Sequence, residues 1–310
     1  MRSTSARVSR SGMPNATMRK RRSEDVTNTL RRAAVAGSWY PSNPDELARQ
    51  VDAYLGEAGA RLDGEPFAVI APHAGLMYSG PVAAHAYRQL AGRDIDVAVL
   101  VGPSHFVGFE GVAVYERGAF ETPFGPVAID EDCAAAVAAR SPLVAPHPTA
   151  HAREHSLEMQ LPFLRRVLPD ARIVPLVMGF QRRDTAFALA DAMAGAVAGR
   201  RAVLIASTDL SHYQSAATAA KLDARVIDRV REFDAEGLMS LLEDFPEHAC
   251  GGGPTVSVMR AVHLLGATEA RVLKYADSGD VSGDKDAVVG YLAAALGTFR
   301  ASSHAHAAAR

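Results

Sequence analysis

Asp96-Val-Ala-Val-Leu-Val101-Gly-Pro-Ser-His105 is the stretch on which the fold turns. Its apolar run is too short for a helix, has no polar alternation, and stops at Gly-Pro. That is the pattern of a strand buried on both faces, and it leads straight into a histidine. Phe67-Ala-Val-Ile-Ala71 repeats the pattern and runs into Pro72-His73-Ala-Gly75. Ala202-Val-Leu-Ile-Ala206 repeats it again and runs into Ser207-Thr-Asp209-Leu-Ser-His212. Further strands are predicted at 112–115, 127–129, 172–177, 271–276 and 287–293. Helices are predicted at 81–90, 157–167, 185–197, 215–231, 235–243 and 254–265, with Leu157, Leu161, Leu164 and Leu168 on one face of the second. Strands separated by helices imply βαβ units: an α/β fold with a central, largely parallel or mixed sheet flanked by helices on both faces.

Composition bounds the remaining possibilities. The 310 residues are 48% hydrophobic and 22% charged, enough to bury a core without disulfides, and there are only two cysteines, Cys133 and Cys250. Collagen-like, disulfide-scaffold and wholly disordered classes are excluded. No apolar run approaches the roughly 20 residues of a membrane helix, so a soluble, cytoplasmic protein is expected. Residues 1–32 carry nine basic and two acidic side chains against a net charge of −2 for the whole chain. The body is therefore acidic, which argues against nucleic acid as a partner. The expected organisation is a disordered basic tail over 1–32, one α/β domain over 33–298, and a second disordered tail over 299–310. The stretch Arg19-Lys20-Arg21-Arg22 is read as a solvated extension.

The polar chemistry collects where strands end. In parallel sheets ligands bind beyond the carboxyl ends of the strands, so His73, His105, Asp209 and His212 can converge. Cys250 joins them, followed by Gly251-Gly-Gly253-Pro254 and a predicted helix. A helix N-terminus favours the thiolate, and the glycines allow close backbone approach. Imidazole and thiolate together suit iron, copper or zinc. Other residues have plainer readings. Cys133 lies in an alanine-rich helix and reads as packing, and His85 and His263 fall inside helices. His147 and His248 lie in loops without a motif. Ser156 is a potential N-cap for the helix after it, while Glu154 and His155 could either cap or face the pocket. Asp277–Asp286 is rich in carboxylates but lacks the EF-hand spacing, and reads as a solvated turn.

These residues carry a resemblance. The stretches are Ala36-Gly-Ser-Trp39-Tyr-Pro41, Ala71-Pro-His73-Ala-Gly75-Leu-Met-Tyr78-Ser-Gly80, Gly102-Pro-Ser-His105 and Glu154-His155-Ser-Leu-Glu-Met-Gln-Leu-Pro162. Ser207-Thr-Asp209-Leu-Ser-His212-Tyr213, Cys250-Gly-Gly and Gly283-Asp-Lys-Asp-Ala-Val-Val-Gly-Tyr291 follow in order. The chain resembles the Memo (mediator of cell motility) family, including the proteins called AmmeMemoRadiSam system protein B. That family is similar in fold to class III extradiol dioxygenases, which hold Fe(II) with two histidines and a carboxylate. The resemblance implies His73, His105 and Cys250 as metal ligands, a cysteine standing where the dioxygenases have the carboxylate. It implies His212 as acid/base, with Asp209 orienting a ligand or tuning the metal.

The expectation is a redox-active iron or copper protein, an oxidoreductase of unknown substrate, with zinc the weaker fit. The alternative is a non-catalytic module that binds a peptide or small molecule in the strand-end pocket, or partners a radical-SAM enzyme. A zinc hydrolase ranks lowest, because no water-activating carboxylate is spaced as in H-E-x-x-H.

Overall fold

The computed structural model describes residues 30–300. The strands are β1 (Leu30–Arg31), β2 (Gly64–Ala71), β3 (Val97–Pro103), β4 (Val112–Val114), β5 (Ala119–Phe120) and β6 (Val127–Ala128). They continue with β7 (Val144–Pro146), β8 (Arg172–Met178), β9 (Ala202–Ser207), β10 (Asp209–Gln214), β11 (Glu269–Asp277) and β12 (Val288–Phe299). Nine of them form one sheet in the order β10-β12-β2-β9-β3-β8-β4-β7, with β11 also on β12. The centre, β2-β9-β3-β8, is parallel. The flanks, where β12 meets β2, β10 and β11 and where β4 meets β8, are antiparallel. The sheet is thus mixed and flanked by helices, as the sequence pattern implies.

Every residue of β3 is buried. Successive side chains of a strand point to opposite faces, so the sheet is covered on both. The helix Gly252–Leu264 packs against β9, β3 and β2, and the helix Leu76–Arg88 packs against β12 and β2. Because the central strands are parallel, β2, β9 and β3 deliver His73, the Ser207–Asp209 turn and His105 to one edge. Among the described residues no helix is long and apolar enough to cross a membrane.

Four local expectations change. The helix predicted to start at Pro81 spans Leu76–Arg88 and contains that proline. Its start is set earlier by the Leu76 amide bonding the Trp39 carbonyl (2.8 Å). The helix predicted over 157–167 breaks into a 3₁₀ turn, Glu158–Gln160, and a helix Leu161–Val167. Pro162 has no amide to donate, so it suits a fresh first turn rather than a continuing helix. Ser156 is no N-cap; its hydroxyl donates to the Pro103 carbonyl (3.0 Å).

The fourth concerns the ends of the domain. The proposed boundaries at 33 and 298 both move outward. Leu30 and Arg31 pair in parallel with Ala119 and Phe120, and β12 runs to Phe299. The Arg31 guanidinium is buried against the Glu158 carboxylate. Glu158 also accepts from the amides of Ala34 and Val35 (2.7 and 3.0 Å) and from the Tyr40 hydroxyl (2.7 Å). A buried charge must be paired and hydrogen-bonded, and this network clamps residues 31–40 onto the body. The run Arg19-Lys20-Arg21-Arg22 and the histidines His304 and His306 lie outside the described residues.

Candidate metal centre

His73 follows β2 and His105 follows β3, as the sequence pattern requires. Asp209 and His212, expected in a loop, instead lie on β10, antiparallel to β12. β2 ends at Ala71, and β10 then takes the place beside β12 that β2 leaves. Thr208 bridges the step, its amide bonding the Ala71 carbonyl (3.1 Å). The β10–β12 register is irregular on both sides of His212. Irregular registers of this kind re-aim side chains near functional sites. Tyr213, next along, holds φ 59°, rare for a bulky residue.

The side chains converge. The Cys250 sulfur lies 3.2 Å from His73 Nε2. His73, His105 and Cys250 each offer one ligand atom, and these atoms lie within 4.8 Å of one another. They open into a cavity of about 400 Å³ also lined by Trp39, Ala74, His155, Asp209, His212, Tyr213 and Val289. Cys250 is held by the turn that follows it. Its amide bonds the Asp209 carbonyl (3.2 Å), and the Gly251 amide bonds Thr208 Oγ1 (3.0 Å). A Cβ at Gly251 would lie 2.2 Å from the Ser207 carbonyl oxygen, so only glycine lets this turn seat against β9. Gln181 braces the far side, donating to the Cys250 carbonyl (2.6 Å) and accepting from the Gly253 amide (2.7 Å).

One electrostatic expectation fails. The helix N-terminus was expected to favour a thiolate at Cys250. Burial instead pushes the thiol well above its ordinary range, and the Asp209 carboxylate adds to it. Desolvation disfavours the charged form. A cation would therefore have to displace a thiol proton.

The histidines are set by their partners. Burial holds His73 well below the usual imidazole range, so it is neutral. Its Nδ1 meets Ser207 Oγ at 2.8 Å. His105 Nδ1 meets Glu154 Oε1 at 2.8 Å, and the His105 amide donates to Glu154 Oε2 at 2.6 Å. Burial raises the Glu154 carboxyl, but hydrogen bonds from the His105 ring and amide and the Ser156 amide outweigh it and lower it to about 2. An ionised carboxylate only accepts, so His105 Nδ1 carries a proton, and in the neutral ring the lone pair sits on Nε2. His212 Nδ1 donates to the Leu210 carbonyl (2.8 Å), so in the neutral ring the lone pair sits on Nε2. Asp209 accepts from the His73 amide (2.8 Å). Burial pushes its carboxyl up to about 6 against that help.

Glu154 and His155, left between capping and pocket, both belong to the site. His155 lines the cavity, stacks on His105 (centroids 4.4 Å, 20°) and meets Trp39 at 4.3 Å. Burial, with His73 and His105 beside it, lowers it to about 3. His105, Glu154 and His155 form a second group with ligand atoms within 4.8 Å. Both groups claim His105. Glu154 already takes the His105 Nδ1 proton, which favours the group containing Cys250 and leaves the carboxylate as its orienting partner.

Sequence reasoning did not single out Trp39, Tyr213, Gln160, Ser207 or Gln181 as site residues. Trp39 and Tyr213 stand inside the quoted stretches, and Trp39 is the chain's only tryptophan. Gln160 and Ser207 also stand inside quoted stretches, whereas Gln181 leaves no comparable signal. Of the residues with plainer readings, Cys133 is buried in the helix Glu131–Ala138, and His85 and His263 lie in helices away from the cavity lining. His147 caps the short helix Pro148–Ala152, and His248 is buried in a 3₁₀ turn. In the Asp277–Asp286 segment Lys285 Nζ pairs with Asp277 (2.7 Å) and Asp280 (2.6 Å), a turn closed by its own cation.

The family model described as Memo-like protein matches residues 31–295. A MEMO1 family protein of Methanothermobacter thermautotrophicus is 41% identical over 276 residues, covering 84% of this chain and 98% of its own. One of Methanopyrus kandleri is 40% identical over 275 residues, 85% of this chain and 97% of its own. One of Nitrosopumilus maritimus is 33% identical over 268 residues, again 84% and 98%.

Proposed function

The chain belongs to the Memo family, and from that premise we propose that it is a redox-active metal-binding protein, an oxidoreductase whose ion is held by His73 Nε2, His105 Nε2 and Cys250 Sγ. One observation carries this reading: the ligand atoms of His73, His105 and Cys250 lie within 4.8 Å of one another at one cavity. His105 and His212 spend their Nδ1 protons on pure acceptors, a carboxylate and a carbonyl. The sulfur and the Asp209 carboxylate add two further electron-rich groups, and no lysine or arginine stands among the lining residues. Such a cavity attracts a cation and repels a phosphate or carboxylate ligand. Two imidazoles and one sulfur form a soft donor set suited to iron or copper, with zinc the weaker fit. When bound, the ion would supply Lewis acidity and, as iron or copper, a one-electron couple.

His212 lies outside the group of mutually close ligand atoms. Its bare Nε2 is therefore assigned to moving a proton on a molecule in the cavity, as general acid/base. Asp209 holds the His73 amide and so the turn that presents the imidazole. Trp39 and Tyr213 complete the cavity lining.

The test is metal content after anaerobic loading with Fe(II) or Cu(I), comparing wild type with His73→Ala and Cys250→Ser. About one ion per chain in wild type and at least a tenfold loss of affinity in both variants is expected. Equal binding by all three proteins, or none by any, ends the reading.

A second reading rests on the rim. Trp39, Phe106 and Tyr213 are exposed large side chains around the same opening. This favours docking of a peptide or a radical-SAM partner without turnover. A partner captured equally by wild type and His212→Ala, with no oxygen uptake by the loaded wild type, would support it.

A further inference from the structure

The proton on His73 can be traced to two backbone carbonyls with no choice in the matter. The Pro72 carbonyl only accepts, and the Gln160 side-chain nitrogen lies 3.1 Å from it, so that nitrogen and not the oxygen faces it. The opposite end agrees, since the Tyr87 hydroxyl donates to Gln160 Oε1 (2.9 Å). The same Gln160 amino group then donates to Ser207 Oγ (2.8 Å). The Ser156 carbonyl also only accepts, and Ser207 Oγ donates its single proton there (2.7 Å). One lone pair of the hydroxyl is left, and His73 Nδ1 at 2.8 Å can meet it only as N–H. Tyr87, Gln160, Ser207 and His73 are all buried, so water does not offer His73 another partner.

We propose that Ser207 and Gln160 are positioning residues that hold the His73 proton on Nδ1 and so turn the Nε2 lone pair toward Cys250 before any metal arrives. Its importance for binding rests on the reading of His73 as a ligand; the proton's place does not. Neither residue lines the cavity. His105 reaches the same tautomer by another route, through a carboxylate. The pocket thus presents its two imidazoles alike, and binding has no tautomer to reverse.

The experiment is a long-range ¹H–¹⁵N spectrum of metal-free protein with ¹⁵N-labelled histidine, beside Co(II) titration read on the sulfur-to-metal absorption. Wild type is expected to carry the His73 proton on Nδ1. Ser207→Ala is expected to lose that single pattern and to bind Co(II) about 10- to 100-fold more weakly. Ser207→Thr, which keeps the hydroxyl on a strand that suits a β-branched residue, should keep the Nδ1 proton. A wild-type proton on Nε2 overturns the proposal, and so does a Ser207→Ala protein with both tautomer and affinity unchanged. Should Ser207→Ala fail to fold, Gln160→Met takes its place, with mixed tautomers and a severalfold weaker affinity expected; no change in either overturns it. A wild type that shows the Nδ1 proton but never binds Co(II) would sink the metal reading and leave the tautomer assignment standing.

Discussion

His73 and His105 stand 5.2 Å apart, edge to face, yet they are held by opposite kinds of chemistry. The His73 ring is almost wholly buried and leans through Nδ1 on neutral groups, a hydroxyl, an amide and, at the far end, a phenol, while the Asp209 carboxylate reaches its backbone amide. His105 has 28% of its side chain exposed and leans on an ionised carboxylate. The difference follows from solvation. A charge placed behind His73 would have no water and few spare donors, whereas Glu154 gathers the His105 ring, the His105 amide and the Ser156 amide. A carboxylate with several donors tolerates burial; a lone one does not.

The strongest way to break this comparison is at the charged end. Glu154→Ala leaves three donors without their acceptor. It should cost about 3 kcal/mol of stability, read by urea unfolding at neutral pH, and weaken metal binding about 10- to 100-fold. A loss below 0.5 kcal/mol would mean the carboxylate does not organise the His105 side.

Acid separates the two sides further. Glu154 has a folded value of about 2 against an ordinary 4.5. A depressed carboxyl stabilises above its unfolded value, and that contribution is lost as pH falls from about 4.5 toward 2, about 3 kcal/mol in all. His155 and His151, lowered to about 3, and His73, lowered well below its ordinary range by burial, also bind their protons more readily when unfolded. Their stabilisation is complete above about 6.5 and erodes as pH falls below it. Asp209 runs the other way: raised to about 6, its contribution is present below 3.8 and fades as pH rises through 6. Metal-free wild type should therefore begin losing stability below about pH 6.5, before Glu154 titrates, because the three histidines together outweigh the opposing gain from Asp209. Glu154→Ala should keep that first slope and lose only the steepening below 4.5. Melting curves from pH 3 to 8 check both, and a wild type flat between 6.5 and 5 contradicts the histidine part.

The smallest effect belongs to the neutral side. Tyr87→Phe removes the phenol farthest from the ligand atom and leaves Gln160 Oε1 without its donor. About 1 kcal/mol of stability should go, with metal affinity changed less than twofold, because the Pro72 carbonyl still orients Gln160. A large affinity loss would show that the neutral chain transmits as strongly as the carboxylate does.

Much of this was legible beforehand, unevenly. β3 and β9 announce themselves as short apolar runs ended by Gly-Pro or Ser, and the three histidine-bearing segments follow from where those runs stop. β10 escapes, because Asp209–Gln214 is polar for a strand and becomes one only by filling the gap that β2 leaves beside β12. Arg31, grouped with a basic tail on composition, belongs to the body, because Glu158 lies 127 residues away in sequence. The Cys250 thiol went the wrong way, because a helix end is visible in sequence while the depth of burial is not.

By itself the sequence determined the α/β alternation, the placing of His73 and His105 at strand ends, and the glycine turn after Cys250. Those depend on run length, punctuation and side-chain size, which are local. Only the tertiary structure decided that Cys250 meets His73 across 177 residues, that Ser207 serves one histidine and Glu154 the other, and which nitrogen of each ring is bare. Hydrogen bonds and burial are properties of neighbours in space, and the folded sheet brings those neighbours together from far apart in the chain.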